Sequence, residues 1–289
     1  MARVVCAGHV NWDVTLRVDH LPAPDGEACI EGESGHGGGS AANVATGVTG
    51  FGVSAAVLGS VGDDDRGRQA CGRLEADGVD CSHLVETPDA ATAVKYLVVD
   101  RAGQVMVLGG PGANEAFEAT ALPDDALATA DFLHLTGQRP ETAAELARRA
   151  NGAGVTVGFD PGRRIAERDF SLALSRADVL FLNDREAEIA LASGDLDEEA
   201  TLVLKHGADG AEVRAPDGAW VHRGFEVDVV DTTGAGDAFA AGFVAALLDG
   251  DGYGRAVRVG NAAGALATTV VGARPDLSWA AVERLLRGE

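Results

Sequence analysis

The run Asp231-Thr232-Thr233-Gly234-Ala235-Gly236-Asp237-Ala238-Phe239 opens a long stretch of Ala, Phe, Val and Leu. Gly234, Ala235 and Gly236 lack bulk, so their backbone N–H groups can approach an anion closely. They sit where a helix starts, and a helix start leaves amides unpaired at its positive dipole end. The segment therefore reads as an anion hole. Asp237 falls in the first helical turn, beside any phosphate held there. A carboxylate in that place can take the proton from a hydroxyl group as it attacks phosphorus. A lone Gly-x-Gly would be explained by a turn and a capping Asp. Nine residues of this composition ahead of an apolar helix are not.

Two more residues stand out by position. Asp13 lies just past a first strand at Val4–Gly8, on the carboxyl edge where open α/β sheets place ligands. Asn43 stands inside a helix of small residues, Ser40–Gly50, although Asn is a poor helix former.

The elements that must hold these residues can be read from pattern. Apolar runs at Phe132–Leu135, Val155–Asp160, Val179–Asn183 and Leu202–Lys205 suit buried parallel strands. Helices are expected near 140–152, 169–176 and 184–193, then near 235–248, 253–270 and 278–287. Upstream, Ala55–Val61 reads as a strand and Arg66–Asp77 as a helix stopped by Gly78. Alternating βα units imply a parallel sheet covered on both faces. The polar extended segments 14–18 and 28–34 do not fit that layer, nor does the hairpin Ala93–Asp100 with Gln104–Leu108. They are expected to form a small sheet to one side, as a lid would.

With Gly38-Gly39-Ser40-Ala41-Ala42-Asn43 and Gly59-Ser60-Val61-Gly62-Asp63-Asp64 as a second matching stretch, the sequence resembles the phosphofructokinase-B family of ribokinase-like sugar and nucleoside kinases. Further matches run in order along the chain: Gly8 to Asp13, Asp160-Pro161 with Arg164, Asn183-Asp184-Arg185-Glu186, Gly207-Ala208-Asp209-Gly210 and Gly260-Asn261. Among subfamilies, archaeal members look most similar.

The resemblance implies an α/β fold, a ribokinase-like three-layer α/β/α sandwich with a mostly parallel central sheet. Residues 1–289 would form one domain, with lid segments near 12–36 and 90–110. It implies transfer of the γ-phosphoryl group of ATP, with Mg2+, to a primary hydroxyl of a small sugar or, alternatively, a ribonucleoside. Asp237 would be the base, with Gly234, Ala235 and Gly236 around the transferred group. Asp13 would bind sugar hydroxyls with Asn11, Gly38, Gly39, Asn43 and Arg164. Asn183 and Glu186 would hold Mg2+, partly through water, although N-x-x-E alone is a common capping pattern. Lys205, Gly207, Gly210 and Asn261 would line the nucleotide site. Asp231 and Thr233 match residues that hold a monovalent cation such as K+ in some relatives, while Asp276 departs from the small hydroxyl residue usual there. A homodimer through the lid is a further implication. Trp12 and Tyr96 are the lid aromatics available to stack a nucleoside base.

Composition bounds the alternatives. The chain has 289 residues with 46% hydrophobic and 24% charged, enough apolar material for a large core. Its net charge of −22 repels nucleic acid and anionic membranes. That charge comes from 27 Asp and 18 Glu against 21 Arg and two Lys, Lys95 and Lys205. Such an aspartate-rich, lysine-poor surface resembles proteins of salt-loving archaea. The uncharged stretch Ala41 to Gly62 is long enough to span a membrane, but its glycines divide it into helix, turn and strand. Cys6, Cys29, Cys71 and Cys81 form no C-x-x-C pair and read as reduced, mostly buried thiols of a cytoplasmic protein.

Rival classes fit less well. Gly37-Gly38-Gly39-Ser40-Ala41-Ala42 satisfies a dinucleotide-binding pattern, but Glu31-Gly32-Glu33-Ser34 before it is too polar for the buried strand required. Neither lysine sits in a P-loop motif. A non-catalytic sugar or nucleotide sensor would not need Asp237.

Overall fold

The computed structural model describes residues 3–288. Its first half holds β1 (Arg3–Ala7), β2 (Asn11–Val18), β3 (Ile30–Gly38), α1 (Ser40–Gly50), β4 (Ser54–Gly62), α2 (Asp65–Ala76), β5 (Asp80–Thr87), β6 (Val94–Val99) and β7 (Val105–Gly110). The next stretch holds α3 (Asp124–Ala128), β8 (Phe132–Thr136), α4 (Pro140–Ala153), β9 (Thr156–Asp160), α5 (Ser171–Leu174), β10 (Val179–Asn183), α6 (Asp184–Ser193) and β11 (Thr201–Lys205). The hairpin β12 (Ala211–Ala215) and β13 (Gly218–His222) follows, then α7 (Ala235–Leu248), α8 (Tyr253–Thr268) and α9 (Trp279–Leu286).

The large sheet runs β13-β12-β11-β10-β9-β8-β1-β4-β5, parallel from β11 to β5, with the β12–β13 hairpin antiparallel at one edge. Alternation along β1 sends Val4 and Cys6 into one core layer, with α1, α7 and α8, and Val5 and Ala7 into the other, with α4. That is a sheet covered on both faces, as the uniform apolar runs required. The second sheet, β3-β2-β6-β7, is the lid. No helix among the described residues is long and apolar enough to cross a membrane.

Small residues set how closely the site helices approach. A Cβ added to Gly47 of α1 would lie 2.6 Å from the Ala241 Cβ of α7, and one on Gly242 2.8 Å from the Ala263 Cβ of α8. Larger residues would push α1 away from α7. Three expectations change. β5 was not read from sequence, because Asp80-Cys81-Ser82-His83 is polar, and its place at the sheet edge is the reason. The helix expected over 169–176 is a single turn, α5. Of the four free cysteines only Cys6 is buried; Cys29 is exposed.

The acidic surface leads to a first prediction. Asp63 and Asp65 pair with Arg68, and Asp64 caps α2 by accepting from the Gly67 amide at 2.8 Å, so this triplet is largely satisfied. Among the described residues the run Asp195 to Glu199, exposed at Asp197 to Glu199, makes no such ion pair, and the net charge of −22 repels itself. Screening shortens that repulsion to about 3 Å at 1 M salt. Melting temperature should rise from 0.1 to 2 M in both KCl and NaCl by scanning calorimetry; a flat curve in both would contradict a salt-adapted surface.

Candidate active site

α7 begins with Gly234 in the left-handed region, φ 77°, and a Cβ there would run into the backbone of Ala273. Asp237 stands in the first turn. Asn43 Nδ2 donates to Asp237 Oδ2 at 2.8 Å across 194 residues of chain, a contact made possible by the close approach of α1 and α7. Asn43 in turn accepts from Arg274 Nε at 3.0 Å, and Arg274 Nη2 donates to the Gly38 carbonyl at 3.1 Å. Burial pushes the Asp237 carboxyl up to about 6; the Asn43 bond pulls it down and the charge of Asp160 pushes it up. A carboxyl so poised is deprotonated at neutral pH yet basic enough to accept a proton.

Asp13 stands behind the glycines. A Cβ on Gly38 would overlap its carboxylate, and Gly39, with φ 97°, lies against the His9 carbonyl. Asp13 Oδ1 is buried and has no hydrogen-bond partner among the described residues. Burial raises its pKa, opposed by Lys95, Arg274 and His36. A buried carboxylate oxygen in want of donors is what a polyhydroxy ligand would satisfy. Two expected neighbours are differently employed. Asn11 is 1% exposed and its Oδ1 accepts from Asn114 Nδ2 at 2.6 Å, which anchors the start of β2. Arg164 donates to Glu115 beside His9, and Arg168 Nη1 joins the same carboxylate at 2.9 Å. Burial alone would push Glu115 up, but His9, Arg168 and Arg164 together hold it near 2. Arg164 thus belongs to a closed ion cluster, not to a free binding surface.

On the other side of Asp237 a cleft of about 1000 Å³ is lined by Asn183, Lys205, Gly207, Gly210, Phe239 and Asn261, with Ala235 and Gly236 at its edge. Lys205 Nζ donates to Asp160 Oδ2 at 2.6 Å and would lie 3.7 Å from a Cβ at Gly236. Burial pulls the Lys205 pKa down, but Asp160 outweighs it and raises it, so the ammonium is charged at neutral pH. Asn261 Nδ2 donates to the His222 carbonyl at 3.0 Å, tying α8 to β13 while it lines the cleft.

Asn183 and Glu186 form a complete capping box on α6: Glu186 N donates to Asn183 Oδ1 and Asn183 N to Glu186 Oε2, both at 2.9 Å. Glu186 is 5% exposed, and burial together with the charge of Asp160 raises its pKa. A buried carboxylate whose charge is disfavoured by burial and by the neighbouring Asp160 suits a cation, though no set of three or more metal-ligating residues exists among those described. Mg2+ keeps waters and is held largely by phosphate oxygens, so it asks for few protein carboxylates. Asp231 accepts from the Thr233 amide and, through its other oxygen, from the Gly272 amide, both at 2.9 Å. It thereby clamps the glycine loop to the loop carrying Arg274.

Sequence reasoning missed Asp160 and Arg274 as site residues. Arg274 follows Gly272-Ala273 without any local motif, and only its half-buried guanidinium bonded to Asn43 shows its importance.

Comparison with known proteins agrees with this arrangement. The family model described as pfkB family carbohydrate kinase matches residues 1–280. An ATP-dependent ribose-1-phosphate kinase of the halophilic archaeon Halopiger xanaduensis is 54% identical over 281 residues, covering 95% of this chain and 94% of that protein. A nucleoside kinase of Methanothermobacter thermautotrophicus is 26% identical, covering 86% and 83%. Among solved structures, the ribokinase of Thermotoga maritima superposes with a TM-score of 0.88 at 27% identity, over 99% of both chains. The nucleoside kinase of Methanocaldococcus jannaschii gives 0.86 at 23% identity, covering 100% of this chain and 99% of that one, a likeness of fold. Matched over nearly its whole length, with the acidic residue, glycine loop and cleft in place, the chain belongs to the pfkB family of carbohydrate kinases.

Proposed function

We propose that this chain transfers the γ-phosphoryl group of ATP to the 5-hydroxyl of ribose 1-phosphate. The observation that carries the reading is the position of Asp237. Residues just before it line the nucleotide cleft, and Asn43 and Arg274 connect it to Gly38 and so to Asp13. Asp237 takes the proton of the 5-hydroxyl. That oxygen bonds the γ-phosphorus while the bond to the β–γ bridging oxygen breaks, and ADP leaves with the electron pair. The amides of Gly234, Ala235 and Gly236 face the charge spreading over the transferred group, and Lys205 neutralises phosphate charge. Glu186 and Asn183, with Asp160 beside them, would hold Mg2+, partly through water, and that ion would supply further neutralisation of the phosphate charge. Asp13 orients the ring hydroxyls, and lid closure excludes water so that ATP is not hydrolysed.

A phosphorylated acceptor differs from the free sugar and the nucleoside weighed from sequence. It is supported by the 54% identical relative and by the positive charges of Lys95 and Arg274, which oppose the effect of burial on Asp13. The nucleoside reading loses its stacking groups. Trp12 is 8% exposed under Gly35, and the Tyr96 hydroxyl accepts from Arg66 at 2.9 Å; both pack on the core side of the lid. The exposed Val105 and Val107 of β7 support a homodimer contact through the lid. A monovalent cation at Asp231 and Thr233 would show as activation by millimolar K+ that Na+ does not reproduce.

The test is ADP release with a panel of acceptors in molar KCl. Ribose 1-phosphate should exceed ribose, fructose and cytidine in kcat/KM by about tenfold or more, the worth of one good charged contact. Equal or better turnover of ribose or cytidine would reject the proposed acceptor.

A further inference from the structure

Lys95 stands where the lid faces the acceptor. β6 pairs with β2 in register Asp13↔Lys95, and β2 pairs with β3 in register Asp13↔His36. Register partners share a face, so His36, Asp13 and Lys95 form a row across the lid on its Asp13 side. The next position in that row is Gly109 of β7, which has no side chain to cover the ammonium. Val94 and Tyr96, the neighbours of Lys95 in β6, point the other way and pack against the core.

No hydrogen bond or ion pair holds the Lys95 ammonium among the described residues, although the side chain is half-buried. The register sets it directly beside Asp13, and its positive charge acts on Asp13, His9 and Asp237. The other cations there are engaged: Arg274 by Asn43 and the Gly38 carbonyl, Arg164 by Glu115. A half-buried, unpartnered ammonium costs desolvation without return inside the protein. It is also one of only two lysines in a chain that otherwise uses 21 arginines, and the other, Lys205, lies in the nucleotide cleft.

We infer that Lys95 binds the phosphate group that the acceptor already carries, and that it makes this kinase choose a sugar phosphorylated at C1 over the free sugar. The inference rests on the ribose 1-phosphate reading above. With the 5-hydroxyl at Asp237 and ring hydroxyls at Asp13, the C1 substituent lies across the ring oxygen from C4, toward the lid. An ammonium on a flexible stem serves there as a point charge for a phosphate dianion.

Steady-state kinetics of wild type, Lys95→Gln and Lys95→Arg with ribose 1-phosphate and with ribose separate the possibilities. A wild type that does not prefer ribose 1-phosphate rejects the acceptor reading before any variant is measured. Given that preference, Lys95→Gln should raise KM for ribose 1-phosphate about 10- to 100-fold, the range of one charge-assisted hydrogen bond. KM for ribose should stay within about threefold, so the preference collapses, and Lys95→Arg should recover part of it. Turnover of ribose reports that the variant is folded, and calorimetric titration with ribose 1-phosphate alone should show the same loss of affinity. A Lys95→Gln enzyme that keeps the preference, or loses both acceptors equally, overturns the inference.

Discussion

Replacing Asp237 with Asn should lower kcat by about 10²–10⁴ while ATP binding persists, because the base is lost and the glycine amides remain. The same change should stabilise the protein at pH 8. The Asp237 pKa is raised in the folded state from 3.8 to about 6, chiefly by burial. A carboxyl whose folded pKa is raised binds its proton more tightly when folded, so stability is highest below pH 4. It falls as pH rises through 6, and stays lower above that. Two units correspond to about 3 kcal/mol, an upper bound since the side chain is partly open to the cleft. The variant should therefore melt higher than wild type at pH 8 and alike at pH 4. Wild-type kcat/KM should lose activity on the acid side with a midpoint near the same value, about 6. A variant that kept more than a tenth of wild-type kcat would show that Asp237 is not the base.

Asp13→Ala should raise the acceptor KM about a hundredfold and leave the ATP KM unchanged, since its buried Oδ1 has no partner among the described residues. The direction of the stability change separates binding from architecture. A carboxylate held at the site for substrate is a burden on the empty enzyme, because burial raises its pKa. The alanine variant should melt no lower than wild type. Unchanged acceptor affinity by calorimetry would remove Asp13 from the site.

What was legible in the sequence was local. α1, α6 and α7 begin and end where expected because glycines, a capping box and apolar runs mark them within a few residues. The lid was legible as polar extended segments that could not enter a parallel layer. What was not legible depends on contacts between distant segments. Asn43 was singled out as a poor helix former, but its duty, holding Asp237, follows from Gly47 letting α1 approach α7. Arg274 and the Lys205–Asp160 pair join segments far apart in the chain and carry no motif of their own. Asn183 and Glu186 show the converse. The family resemblance implied cation ligands there, and the structure uses the same atoms for the capping box that the spacing by itself suggests.

The acceptor and the position of transfer can be read together from the product. The enzyme, incubated with ATP, Mg2+ and ribose 1-phosphate in molar KCl, should yield one sugar bearing two phosphates by 31P NMR. The new resonance should be split by the protons on C5, and ADP should form in equal amount. A new phosphate on a ring carbon, or ADP formed only with inorganic phosphate, would contradict the arrangement of Asp237, Asp13 and the glycine loop described above.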